Sequence, residues 1–278
     1  MFATITMTRR LAVSALIGLG VAFAASAGSA EETRKSIAAP DGHPLDEIIS
    51  GYEFRSAATK AVQDDDFQNP AFLWVEKGEE NWEEVDGTAG KSCASCHGDA
   101  SETMAKAGAQ YPKWDAKDQN PINLEQRINK CRTKAMGAEA WAWESDELLS
   151  MTSFVRHQSR GEPVAVKIDG KMKPVFDYGK KLYYQRNGQL DMSCANCHED
   201  NYGTRIRSDM LSQGQSNGFP TYRLKWQKVG SLHRRFKGCM KQVRATPYKV
   251  GSNEFVALEL YVNYRGSGLP VETPAVRQ

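Results

Sequence analysis

Two copies of the pattern Cys-x-x-Cys-His constrain this chain more than any other feature. They are CASCH at residues 93–97 and CANCH at residues 194–198, offset by 101 residues. The pattern is the attachment signal for c-type haem, because each cysteine adds to a haem vinyl group and the adjacent histidine lies beneath the iron. A thioredoxin-like redox pair and half of a zinc site are alternatives, but a redox pair needs no following histidine, and a zinc site usually spaces its C-x-x-C pairs by tens of residues rather than 101. The motifs therefore predict two covalently attached c-type haems.

Each motif residue has an expected role in binding haem. The thioether-forming cysteines are predicted to be Cys93 and Cys96 for the first haem, and Cys194 and Cys197 for the second. The proximal iron ligands are predicted to be His97 and His198.

The sequence repeats well beyond the motifs. Three further pairs share an offset of 108 residues: Leu124 and Leu232, Arg127 and Arg235, and Cys131 and Cys239. An internal duplication explains this spacing. Each copy has a helix before the motif, a haem loop, a short helix with a lone cysteine, and an amphipathic last helix. The predicted fold is mainly α, with two tandem cytochrome c-like lobes and an N-terminal extension.

Composition along the chain suggests where these lobes begin and end. We expect a first lobe at residues 31–158, which carries haem 1, and a second lobe at residues 175–278, which carries haem 2 and the active site. The polar, Pro/Gly-punctuated stretch 159–174 is the expected linker. Ahead of the helices of the first lobe, KSIAAPDGHPLDEIISGYEF is expected to be an ordered or wrapping extension without site chemistry.

The first thirty residues are typical of a secretory signal. Arg9 and Arg10 precede the apolar run LAVSALIGLGVAFA, and small residues follow it. Cleavage is expected near Ala27 or Ala30. The alternative is a membrane anchor, but the run is short for a spanning helix. The mature protein is expected to have no membrane span and to lie in the periplasm.

Charge is distributed unevenly, although the net charge of +2 gives no reason to expect nucleic acid as a partner. Residues 31–120 hold 9 Lys or Arg against 19 Asp or Glu, whereas residues 171–278 hold 18 against 8. Residues 221–253 hold nine Lys or Arg and no Asp or Glu. This second-lobe window is expected to attract anions.

The two lone cysteines, Cys131 and Cys239, have three possible roles. A disulfide between them is the usual expectation in an oxidising compartment. Alternatively, the sixth iron ligands are methionines, the candidates being Met104, Met136 and Met240. Equivalent positions in two duplicated lobes instead favour thiolate ligation, in which Cys131 and Cys239 each bind the iron of their own lobe.

Only Cys239 lies in the basic window, four residues after Arg235 and therefore on the same helical face. An Arg fork beside sulfur suits a tetrahedral oxyanion such as thiosulfate. Arg127 has the same relation to Cys131, so a structural role in both lobes, such as binding a haem propionate, stays open. Solvated or anion-binding roles are open for three neighbours: His233, Arg234 and Lys237.

With these features in place, the chain resembles the dihaem SoxA family, on the segments CASCH, NKCR, CANCH and RRFKGCM in that order. Members are catalytic subunits of L-cysteine S-thiosulfotransferase in bacterial sulfur oxidation. The resemblance implies that Cys131 and Cys239 are distal iron ligands, that Cys239 is the active-site cysteine found as a persulfide, and that Arg235 contacts substrate.

The resemblance also implies the reaction and the partners. Thiosulfate is coupled oxidatively to a cysteine of the SoxYZ carrier, and two electrons pass through haem to a SoxX cytochrome subunit in a heterodimer and then to a small cytochrome c. The rival interpretations are a dihaem electron-transfer cytochrome without sulfur chemistry and a dihaem peroxidase. In the electron-transfer cytochrome, the basic window would be a docking face for an acidic partner.

Overall fold

The computed structural model describes Met1 and residues 35–278. The predicted signal peptide lies outside the described residues, apart from Met1. Within the described part, no helix combines the length and apolar character that crossing a bilayer requires. The chain from residue 35 onward begins with strands and a helix that precede the first motif: β1 (Ser36–Ala38), β2 (Glu47–Ile49) and α1 (Ala57–Asp64).

This N-terminal segment packs against the end of the chain. Strands β1 and β2 pair antiparallel, and Ser56 caps α1 by accepting a hydrogen bond from the Thr59 amide. Gln63 accepts a hydrogen bond from the Val276 amide at 3.0 Å, and Asn69 donates one to the Pro274 carbonyl at 2.9 Å. The extension is therefore held to the second lobe.

The first lobe is built mainly from helices around one hairpin. Its elements are α2 (Phe72–Glu83), α3 (Ala94–His97), α4 (Ala100–Thr103), β3 (Lys113–Asp115), β4 (Asn120–Ile122), α5 (Leu124–Cys131), a π-helical turn (Arg132–Met136) and α6 (Asp146–His157). The expected order of a helix, the motif, a helix that carries the lone cysteine and a last helix is confirmed.

The second lobe repeats this order. Its elements are a 3₁₀ turn (Gly170–Met172), α7 (Lys173–Tyr184), α8 (Cys194–His198), β5 (Arg205–Ile206), β6 (Asp209–Met210), β7 (Thr221–Arg223), β8 (Lys228–Gly230), α9 (Leu232–Gln242), α10 (Asn253–Arg265) and β9 (Ala275–Arg277). Strand β9 pairs parallel with β7 and extends the β7–β8 hairpin to three strands. The described residues are mainly α, as predicted, and the hairpins are short.

One glycine in each lobe lets the first helix approach the last helix closely. Gly78 of α2 faces α6, where an added Cβ would overlap the Ser150 carbonyl. Gly179 of α7, 101 residues later, faces α10, where a Cβ would overlap the Ala257 carbonyl. The same close helix pair therefore recurs at the same register, which indicates that the duplication preserved backbone packing.

We predict that Gly179→Ala destabilises the haem-loaded protein. The added methyl group meets backbone atoms, which cannot move aside as a flexible side chain can, so a loss of about 2 kcal/mol or more is expected. The melting temperature should fall by roughly 4–8 °C in calorimetry. Lys180→Ala on the same helix is the control, because Lys180 is exposed and should change stability by less than about 0.5 kcal/mol. Equal melting temperatures for the two variants would contradict the close packing.

The last helix of each lobe departs from the amphipathic prediction. Residues 148–156 of α6 and residues 255–263 of α10 are buried without interruption. Each helix packs against the first helix of its own lobe, and its other faces are covered by further segments of the chain. One example is the Asn123 amide, which donates to Glu259 of α10 at 3.0 Å. Enclosure on both sides explains why neither stretch has a solvent-exposed face, so that even polar residues such as Glu259 are buried.

Candidate functional site

Both motifs fold as a single helical turn with the same internal cap. Ser92 and Ser95 exchange hydrogen bonds between side chain and backbone at the first motif, at 2.9 and 3.0 Å. Ser193 and Asn196 do the same at the second motif, at 3.4 and 3.0 Å. A helical turn places residues three and four apart on one face. The two cysteines and the histidine of each motif therefore share a face, as attachment to one haem requires.

In the second lobe, His198 and Cys239 approach one another from different elements. His198 Nδ1 donates to the Ser212 carbonyl at 2.7 Å, which leaves Nε2 without a hydrogen and available to a metal. Cys239 on α9 lies close enough to this ring for His198 to influence the pKa of its thiol. Gly214 has a φ of +77°, and its Cα lies so close to the ring that a Cβ would be 2.9 Å from His198 Cγ. The donor set, an imidazole and a nearby thiol, fits a haem iron, and His198 and Cys239 are the residues that would hold it.

In the first lobe, the motif lies beside an aromatic core. The ring of His97 is 5.7 Å from that of Trp82, and Trp82 Nε1 donates to the Gly98 carbonyl at 3.1 Å. Cys131 lies near enough to Cys96 for their charges to interact. Among the described residues, no three His, Cys, Asp or Glu side chains cluster as a metal site.

The described cysteines are all free thiols, so Cys131 and Cys239 are not joined by a disulfide. Each lies near the motif of its own lobe. Of the three methionine candidates, Met240 packs against the second-lobe core, Met104 packs against the first-lobe core, and Met136 is buried. Cys239 lies close enough to His198 to be influenced by it, whereas the contact of Met240 is with the second-lobe core.

The two lone thiols differ in their electrostatic surroundings. Burial raises the pKa of the Cys131 thiol, only partly offset by Arg127. Burial also acts to raise the pKa of Cys239, but Arg235, His198 and Arg223 outweigh it and lower that pKa to about 6. Positive charge therefore favours thiolate at Cys239.

The equivalent arginines are also paired differently. Arg127 lies 3.1 Å from Asp115, which also binds Lys130 at 2.5 Å. Hydrogen bonding by Lys130 lowers the pKa of Asp115 to about 2. The half-buried Arg235 has no carboxylate partner among the described residues. Of the two arginines, only Arg235 keeps its charge free for an anion.

Three other residues of the basic window 221–253 have partners other than the Cys239 thiol or are exposed to solvent. His233 is buried, 2.9 Å from Glu259, and stacks on Trp143 at 5.4 Å. Arg234 pairs with Glu144 at 3.6 Å. Lys237 is exposed. These contacts favour packing and solvation for all three residues.

Sequence reasoning gave Arg223 no individual role, although its charge helps to lower the pKa of Cys239. It was one of nine basic residues in the window 221–253. The signal that singles it out is the 108-residue offset, which aligns Arg223 with Asp115, a residue of opposite charge.

The two motif turns and their facing thiols define a c-type cytochrome with two tandem cytochrome c domains. The chain belongs to the family described as SoxA/TsdA, cytochrome c domain, whose profile matches residues 77–164 and 178–271. The resemblance drawn from the motifs is therefore confirmed.

Individual relatives cover nearly the whole chain. The L-cysteine S-thiosulfotransferase subunit SoxA of Pseudaminobacter salicylatoxidans is 50% identical over 272 residues, 94% of each chain. The subunit of the same name from Rhodovulum sulfidophilum is 44% identical over 285 residues, covering 98% of this chain and 99% of that one. The fold is similar to a chain in the crystal structure of SoxXA from P. pantotrophus, with a TM-score of 0.82 and 48% identity, over 84% of this chain and 89% of that chain.

Proposed function

We propose that this chain is the catalytic subunit of an L-cysteine S-thiosulfotransferase. It couples thiosulfate oxidatively to a cysteine of a SoxYZ-like carrier protein. Relatives of 50% and 44% identity bear this enzyme name over almost their full length. The observation in this chain that supports it best is Arg235, a cation that has no carboxylate partner within residues 35–278, near the thiol of Cys239.

The reaction joins two sulfur atoms and releases two electrons. The carrier thiol loses its proton, the sulfane sulfur of thiosulfate bonds to the carrier sulfur, and the products are a cysteine S-thiosulfonate, one proton and two electrons. Charge and atoms balance without water. An electron acceptor is therefore required, and a c-type cytochrome supplies one.

The proposed site residues follow from the motifs and the facing thiols. Cys239 is the proposed catalytic residue, present as thiolate or persulfide, and Arg235 binds the sulfonate end of thiosulfate. The proposed haem attachments are Cys93 and Cys96 for the first haem and Cys194 and Cys197 for the second, and the proposed iron ligands are His97 with Cys131 and His198 with Cys239. When bound, the haems accept the electrons that the coupling releases. The proposed lobes remain 31–158 and 175–278.

The proposed partners follow from the relatives and the reaction. The chain is similar to one in the SoxXA structure, which supports a heterodimer with a SoxX-like cytochrome subunit. Thiosulfate, a SoxYZ-like carrier and a small cytochrome c as acceptor complete the system. Export to the periplasm, with cleavage near Ala27 or Ala30, would place the chain with such partners.

The test is turnover by the purified heterodimer. Incubation with thiosulfate, the carrier and oxidised cytochrome c should reduce two equivalents of cytochrome per carrier. Mass spectrometry of the carrier should show one added S–SO₃ group on its cysteine. A pure electron-transfer cytochrome, the alternative, would pass electrons between redox partners and leave the carrier unmodified with thiosulfate, which would reject the proposal.

We also predict that the mature chain carries two haems. Intact mass of the denatured protein should exceed the mass of the processed polypeptide by two haem groups, because thioether bonds survive denaturation. Replacement of Cys194 and Cys197 by alanine should remove one haem, and the same change at Cys93 and Cys96 should remove the other. A wild-type mass with one addition would contradict the prediction.

A further inference from the structure

Arg223 of β7 is a buried cation beside the proposed active site. Only 4% of its surface is exposed. Its charge acts on both Cys239 and Arg235, and burial followed by repulsion from Arg235 lowers the pKa of Arg223 to about 10. The charges of two guanidinium groups therefore act on one another and on the Cys239 thiol, and an anion that binds both groups would relieve their repulsion.

The duplication places this cation at the position where the first lobe has an anion. Hairpins β3–β4 and β7–β8 are offset by 108 residues at every strand end, which aligns Asp115 with Arg223. In the first lobe, Asp115 is the carboxylate that binds Arg127. In the second lobe, the corresponding pair is Arg223 and Arg235, two cations. The first lobe supplies its own anion, whereas the second lobe leaves that place for one from outside.

Arg223 is only partly satisfied by the protein. Its Nη2 is 3.6 Å from Asp209 Oδ2, beyond hydrogen-bonding distance, and Asp209 is closer to Arg55, at 2.5 Å. Arg223 Nε is buried without a hydrogen-bond partner. A buried charged donor without an acceptor is unfavourable. The missing acceptor is therefore best supplied by a ligand.

A haem propionate is the other anion that a cytochrome c lobe offers. The duplication argues against it, because Asp115 occupies the equivalent position of the first lobe and a carboxylate there would repel a propionate. The position of Arg223 is thus not part of a propionate site common to both lobes. A substrate anion that only the second lobe binds explains why a cation is present at this position in the second lobe alone.

We propose that Arg223 and Arg235 form a two-arginine clamp for the sulfonate group of thiosulfate, with Arg223 as a specificity-determining residue for dianionic oxyanions. The clamp rests on the proposed function for the identity of its ligand. The fork of each guanidinium donates to sulfonate oxygens. The sulfane sulfur is left to face Cys239.

Kinetics of the haem-loaded heterodimer test the clamp. Arg223→Gln should raise the KM for thiosulfate about 10- to 100-fold, because charged hydrogen bonds are lost. The rise in KM should exceed any fall in kcat, since the sulfonate contact is present in both ground and transition states. Arg223→Lys, which keeps the charge and loses the fork, should raise the KM less. Arg160→Gln is the matched control, because Arg160 already pairs with Asp66 at 2.8 Å, on the surface. An unchanged KM in Arg223→Gln would overturn the clamp.

Asp209→Asn gives a test of opposite sign. Removing this carboxylate leaves Arg223 without its nearest anion, so thiosulfate should bind more tightly, with a KM lowered roughly 3-fold. Partial misfolding would not produce tighter binding, which keeps the test valid even if Arg223→Gln folds poorly. A KM raised or unchanged in a folded Asp209→Asn heterodimer would contradict the clamp.

Calorimetry in a Cys239→Ala background separates the clamp from the proposed reaction. Thiosulfate should bind to this heterodimer, and adding Arg223→Gln should weaken binding about 10-fold or more. Binding without conjugation by the wild type would reject the proposed function and leave the clamp standing. Binding unaffected by Arg223→Gln, together with a shifted reduction potential of the second haem, would assign Arg223 to a propionate and reject the clamp.

Discussion

Cys239→Ala should abolish thiosulfate conjugation, with a fall of about 10³-fold or more in the rate of carrier modification, as expected for loss of a nucleophile. The thiol lies against His198 and beside Arg235, where positive charge favours thiolate. Alanine has no sulfur to accept or transfer the sulfane atom. The measurement is the rate of S–SO₃ formation on the carrier by mass spectrometry, with intact mass showing that both haems remain attached.

The matched control is the neighbouring Met240→Leu. Met240 packs against the second-lobe core, and Met-to-Leu exchange conserves volume. Conjugation should stay near the wild-type rate, and the near-infrared spectrum of the second haem should not change. Cys239→Ala should alter that spectrum, because thiolate ligation is lost. Undiminished conjugation by Cys239→Ala would refute the catalytic assignment. A spectral change caused by Met240→Leu would refute the thiolate ligation.

The main features of the fold were predictable because haem attachment depends on local sequence. A C-x-x-C-H pattern must form one helical turn, and the helices around it follow from apolar spacing. The 108-residue offset then relates α5 to α9. Burial of α10 was not predictable, since the segments that cover its second face come from distant parts of the chain, such as Asn123 against Glu259.

The site was predictable up to the point where the two lobes differ. In the sequence, Arg127 and Arg235 both lie four residues before a cysteine. The sequence alone therefore leaves a structural role open for both arginines. Their difference lies in Asp115, on a separate hairpin, whose contact with Arg127 depends on tertiary structure. Likewise, a basic window cannot show that His233 and Arg234 are engaged by Glu259 and Glu144.

The uneven distribution of charge along the chain is also seen locally, in the surroundings of Cys131 and Cys239. The acid-rich half contributes Asp115, which neutralises the cations around Cys131. The basic half contributes Arg223 at the aligned position. In the first lobe, the cations near the thiol are neutralised by a carboxylate of the same lobe. One difference of charge at the aligned position is enough to give the second lobe a thiol site that attracts an anion.

Arg235→Gln should lower kcat/KM for thiosulfate about 100-fold, because the side chain loses both its charge and its bidentate hydrogen bonds to an oxyanion. The matched control is Arg127→Gln, at the equivalent position of the first lobe. Arg127 already binds Asp115, so its loss should change kcat/KM less than about 3-fold, within the effect of a screened ion pair. Both are measured in the heterodimer with carrier in excess and thiosulfate varied.

The comparison separates substrate binding from a structural role shared by both arginines. If each arginine positioned a haem propionate, the two variants would shift the potential of their own haem by similar amounts and would leave the KM for thiosulfate alone. If Arg235 binds substrate, only Arg235→Gln should raise that KM, and raising the chloride concentration should weaken thiosulfate binding in the wild type more than in the variant. Because Arg235 lacks the carboxylate that Arg127 has, we expect the second pattern, and equal effects of the two substitutions on KM would exclude it.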